Sequence, residues 1–113
     1  MHAPSALRVV LVTHPEEGAR AFARRLVERR VAACVNLLPV TSVFRWQGAI
    51  EESGEVLLVI KTAGSRLDEL ERTLREEHPY QVPESIALVP ERVGASYLAW
   101  ALGETAEPGV ADA

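Results

Sequence analysis

Residues 31–47, VAACVNLLPVTSVFRWQ, constrain the fold more than any other part of the chain. The stretch is rich in valine, leucine and threonine, and Phe44 and Trp46 stand near its end. It reads as one very long strand, taken from about Cys34 to Trp46. Pro39 interrupts it and cannot donate to a ladder, so a bulge or an edge position is expected there. Gly48 marks a turn, and residues 55–62 (EVLLVIKT) form the returning strand. That strand is apolar on both faces, which predicts cover on both sides.

The other elements are shorter. Residues 7–13 (LRVVLVT) read as a buried strand. Pro15 opens a helix, Glu16 and Glu17 suit its N-terminus, and Ala19, Phe22, Ala23, Leu26 and Val27 recur at helical spacing to an end near Arg30. Ser65 is expected to cap a second helix with a stripe of Leu67, Leu70 and Leu74, stopped by Pro79. The loop HPYQVPE (residues 78–84) is stiffened by Pro79 and Pro83. Residues 86–89 predict a fourth strand, and residues 94–102 a third helix carrying Tyr97 and Trp100. The order is that of an α+β, ferredoxin-like βαββαβ domain with an added C-terminal helix. It implies an antiparallel sheet with helices on one face and a long β2–β3 hairpin. The expected domain is 7–103, between a flexible N-terminus (1–6) and a flexible tail (104–113).

Length makes this domain incomplete on its own. A helix of ~15 residues spans roughly 22 Å at 1.5 Å per residue. A strand of ~13 residues spans roughly 43 Å. The hairpin must project beyond its helical roof, and Val43, Phe44, Trp46 and Ile50 lie at its far end. Such a patch is costly to leave in water, so self-association is predicted.

Composition excludes little but points consistently. The chain of 113 residues is 48% hydrophobic and 25% charged, as soluble domains are. A net charge of −4 argues against nucleic acid as a partner. No run approaches the ~20 apolar residues of a membrane span, and the N-terminus has no basic start followed by an apolar stretch. A cytoplasmic protein with no membrane partner is the expectation. The one cysteine, Cys34, permits no internal disulfide.

Candidate chemistry is sparse. Cys34 is a good soft ligand for copper, but a free cysteine on an apolar strand usually packs as a small hydrophobe. His2, His14 and His78 show no ligand spacing. His2 beside the free amino terminus can chelate Cu(II) trivially. His78 ends a helix, where a protonated imidazole would favour the dipole. Lys61, Glu55 and Glu84 lie in or beside apolar strands, where a charge needs a partner. With Trp46, Tyr80 and Trp100 they are expected to line a cleft between subunits. Arg20, Arg24, Arg25, Arg29 and Arg30 share the first helix with glutamates and read as a solvated face. No nucleophile elbow, phosphate loop or paired metal motif occurs, so neither an enzyme nor an organic cofactor is expected.

Four blocks in order, AACVNLLPVTSVFRWQG, EVLLVIKT, HPYQVPE and YLAW, resemble the CutA family of divalent-ion tolerance proteins. The resemblance covers residues 7–102. It implies a ferredoxin-like homotrimer similar in shape to the PII signalling proteins, with a role in copper and other divalent-cation tolerance and no known enzymatic activity. Cu(II) or another divalent cation is thus the implied ligand, with Cys34 and His78 as candidate contacts. The resemblance also marks departures. A second copper-binding cysteine would fall near Val12, which cannot ligate, and the proposed histidine corresponds to Glu77, beside His78. The alternative is a PII-like signalling module that binds a small ligand in clefts between subunits.

Overall fold

The computed structural model describes residues 6–107. Residues 1–5 and 108–113 lie outside the described residues, and with them His2 and most of both ends expected to be flexible. The elements are β1 (Leu7–His14), α1 (Glu16–Glu28), β2 (Cys34–Trp46), β3 (Ala49–Ala63), α2 (Leu67–Glu77), β4 (Ile86–Leu88) and α3 (Ala95–Glu104). A 3-10 turn, Gly64–Arg66, leads into α2. The strands form one antiparallel sheet in the order β2-β3-β1-β4, the ferredoxin-like arrangement.

Pro39 finds its place at the sheet edge. β2 is an outer strand, and its pairing with β3 runs without slip from Cys34↔Lys61 through Pro39↔Val56 to Trp46↔Ala49. There is no bulge, because an edge strand can leave the missing N–H facing outward. Gln47 (φ 49°) and Gly48 (φ 84°) both take left-handed angles, which makes a two-residue turn whose twist suits the ribbon. β3 begins at Ala49, six residues before the apolar run that announced it. The outer stretch AIEESG is held by pairing to β2 rather than by its own hydrophobicity.

Alternation along the strands sorts their side chains onto two faces. Val10 and Val12 of β1 and Leu58 and Ile60 of β3 pack under α1 and α2 with Phe22, Leu26, Leu70 and Leu74, all buried. In α1, Glu17 (ψ 125°) and Gly18 (φ 84°) form a type II turn, so regular helix starts only after Gly18. No side chain caps α2, and Ser65 lies inside the 3-10 turn instead. Arg25 and Arg29 reach Glu77 at 3.2 and 2.5 Å and tie α1 to α2. Glu16 and Arg20 do not appear among the ion pairs of the described residues.

The opposite face is largely bare. Leu38, Ile86 and Leu88 are exposed, and Val9, Leu11, Leu57 and Val59 are half-buried. Only its end is covered by α3, where Leu7, Ala33 and Ala101 form a second small core with Val93 and Leu98. α3 runs to Glu104, and Thr105 is buried with its hydroxyl donating to the Ala101 carbonyl at 2.8 Å. Packed structure therefore continues through Thr105.

Candidate functional site

Where α2 ends, the chain turns around the end of the sheet and builds a polar cluster. His78 takes extended angles (φ −77°, ψ 137°), as a residue before proline must. Its ring turns inward and is 8% exposed. Nε2 donates to the Thr13 carbonyl at 2.8 Å, and Nδ1 accepts the Tyr80 backbone N–H at 3.0 Å. A carbonyl can only accept and an N–H only donate, so these contacts assign the neutral Nε2–H tautomer. The ring lies 5.0 Å from His14, 6.1 Å from Phe22 and 4.9 Å from Tyr80, centre to centre. Burial pushes the imidazole below its usual pKa; the Thr13 carbonyl opposes this, His14 adds to it, and Glu55 opposes it. The protonated helix cap expected at this position is therefore replaced by a neutral ring that fastens the loop to β1. His14 is buried as well, with Nδ1 donating to the Pro15 carbonyl at 2.8 Å and its ring stacked on Phe22 at 5.2 Å.

From this anchor Tyr80 reaches β3. Its hydroxyl donates to Glu55 Oε2 at 2.7 Å, and Glu55 is 8% exposed. Burial first, then the hydrogen bond and charge of Glu55, push the phenol up to about 12, so it stays a donor. No lysine, arginine or histidine pairs with Glu55 among the described residues. Glu55 and Tyr80 line an open groove of about 920 Å³ between the outer ribbon and the loop 79–84. Phe44 and Trp46 line it too, with Glu51, Glu52 and Glu84.

Within one chain the residues expected to share a cleft fall into two groups. Trp46, Glu55, Tyr80 and Glu84 meet at the groove, with His78 as the anchor behind it. Lys61 and Trp100 lie toward the other end of the sheet. Lys61 and Glu55 are six residues apart on one strand, roughly 20 Å at 3.3 Å per residue. The Lys61 amine donates instead to Asn36 Oδ1 and, at 3.2 Å, to the Val59 carbonyl. Trp100 packs on Tyr97 at 5.5 Å. Burial, then the neighbouring Cys34, raise the Tyr97 phenol above its usual pKa. Glu51 and Glu52 were missed from the sequence. Only a strand starting at Ala49 puts Glu51, Ser53 and Glu55 on one face.

The donor set does not fit a metal held by one chain. Cys34 is opposite Lys61 while Thr13, which anchors His78, is opposite Leu57. Four residues of strand separate those levels, roughly 13 Å, whereas ligands of one ion must all lie about 2.0–2.3 Å from it. Both His78 nitrogens are engaged, Glu77 is held by two arginines, and Val12 is buried core. Among the described residues no three His, Cys, Asp or Glu side chains converge as a ligand set.

The ferredoxin-like arrangement of this chain is shared with PII-like proteins. The chain matches the CutA1 divalent ion tolerance proteins over residues 8–104 and belongs to that family. Protein CutA of Mus musculus is 46% identical over 101 residues, 88% of this chain and 57% of that protein. The chain thus spans little more than half the length of that relative. The solved divalent cation tolerance protein of Thermus thermophilus is 44% identical with a TM-score of 0.84, covering 88% of this chain and 99% of its own. The PII-like protein CutA from Nostoc sp. PCC 7120, in apo form, is 33% identical with a TM-score of 0.84, covering 88% and 97%.

Proposed function

We propose that the chain acts in divalent-cation tolerance by binding rather than by catalysis, as a cytoplasmic homotrimer whose subunits meet through the bare sheet face. The observation that carries this is the face itself. Leu38, Ile86 and Leu88 are exposed together with half-buried Leu57 and Val59, a continuous apolar surface that a lone soluble chain rarely tolerates. The subunit number of three rests on the family resemblance. In such an assembly the Glu55–Tyr80 end and the Lys61–Trp100 end of each face both border subunit junctions. Weak Cu(II) binding in this reading draws on groups from more than one subunit, since the described residues of one chain hold no converging ligand set.

Sedimentation at micromolar concentration tests the assembly: the expected mass is three times 12.4 kDa, and a stable single-chain particle would remove the proposal. Calorimetric titration with Cu(II) and Zn(II) tests the ions, with copper heat expected to fall on Cys34→Ala if that thiol contributes. The groove of about 920 Å³ favours a second reading, in which the trimer carries a small ligand as a PII-like module does.

A further inference from the structure

His78 is buried with both ring nitrogens engaged, and its two contacts are of opposite kinds. Nε2–H donates to the Thr13 carbonyl of β1 at 2.8 Å, while the unprotonated Nδ1 accepts the Tyr80 backbone N–H at 3.0 Å. Only the neutral ring can make both bonds. A further proton would land on Nδ1 and point at an N–H, so that contact would have to break. Tyr80 is also the residue whose hydroxyl donates to Glu55 of β3 at 2.7 Å. The start of the loop 79–84 is thus fastened to β1 through His78 and to β3 through Tyr80. The first fastening exists only while the imidazole is uncharged.

The surroundings do little to welcome a charge there. β1 supplies His14, 5.0 Å away between ring centres, which opposes a positive His78. α1 supplies Phe22 at 6.1 Å, with the Arg25 guanidinium 5.5 Å from the centre of that ring. On α2, Glu77 is held by Arg25 and Arg29, and the loop supplies the Tyr80 ring at 4.9 Å. Burial disfavours the charged imidazole most, and the Thr13 carbonyl and Glu55 of β3 offset it only in part. We propose that His78 is an acid-released latch: protonation of Nδ1 frees the Tyr80 N–H, and the start of the loop 79–84 leaves β1 and draws its phenol off Glu55. With both nitrogens committed inside the chain, the ring serves as a fastener and not as a metal ligand. Further cover from a neighbouring chain would deepen its burial without changing what the two bonds require.

Amide exchange of the intact, isotope-labelled protein, followed by NMR from pH 7 to pH 4 with the His78 ring nitrogens observed alongside, tests the latch. Protection of the Tyr80 N–H, corrected for intrinsic exchange, should fall about threefold or more, while the sheet amides of β1 and β3 lose less. The fall should begin below the ordinary 6.5 of an imidazole and level off once the ring is charged. In H78N the side-chain oxygen, two residues before Tyr80, can accept the same N–H without titrating. That variant should keep Tyr80 protected across the whole range. Steady Tyr80 protection while the ring titrates, or a ring still neutral at pH 4, would overturn the proposal. So would an equal fall in H78N, which would hand the effect to His14, Glu55 or Glu84. If H78N does not fold, the unsubstituted protein still decides: a fall confined to pH values below the ring's own titration belongs to carboxylates and sinks the latch.

Discussion

The two sides of the β1–β3 pair are almost equally apolar, yet only one is finished within the chain. Leu58 and Ile60 are fully buried beneath α1 and α2, while Leu57 and Val59, one residue away along the same strand, keep part of their surface in water. The covered side is closed by Phe22, Leu26, Leu70 and Leu74, and the bare side has only α3 over one end and Tyr80 over Glu55 at the other. Hydrophobic residues on both faces of a strand therefore record the assembly as well as the fold. One side specifies how the chain packs on itself, the other what it packs against.

Several substitutions would break or sharpen that contrast. The largest effect is expected on the covered side, where Phe22→Ala should cost about 3–5 kcal/mol in chemical unfolding; a loss under 1 kcal/mol would mean this core is not tightly packed. On the bare side, Leu57→Glu should leave the chain's own stability within about 1 kcal/mol yet reduce the assembly to 12.4 kDa particles in sedimentation. An intact assembly would show that this face is not the junction. At the ribbon tip, Gly48→Ala meets no atom within 4 Å, so only the left-handed backbone should resist it, by about 1–2 kcal/mol. A neutral result there would mean the turn can change type.

The smallest effect is expected at His78, where the loop joins the two sides. Its folded-state pKa lies below the ordinary 6.5. Near and below pH 6.5 the unfolded chain therefore binds the proton more readily, and stability falls as pH drops. The neutral ring's contribution is fully present above that value. Melting curves at pH 5 and pH 7 should differ less for His78→Asn than for the parent, and an equal difference in both would reassign the pH dependence to other groups.

Much of this was legible in the sequence because long apolar runs and helical stripes have only one good use. The long strand, its turn at Gly48 and the helix faces of Phe22 and Leu70 all belong to that class. The outer half of β3 did not, since Glu51, Glu52, Ser53 and Gly54 pack under no helix and are strand only through their partners on β2. His78 resembled a solvent-facing cap until its two hydrogen bonds placed it inside. The cleft expected between subunits is a matter of assembly: within one chain an extended backbone holds Glu55 and Lys61 roughly 20 Å apart, so only different chains can bring the two together.

The unbroken pairing of β2 with β3 has a consequence for how this ribbon can change length. With no bulge to absorb a step, inserting or deleting one residue anywhere between Asn36 and Val43 would invert inside and outside for every position beyond it. Phe44 and Trp46 would leave their face of the ribbon together, and Arg45 between them would turn onto it. The hairpin therefore behaves like a sequence with a reading frame of two, editable in pairs along its arms and singly only at its tip.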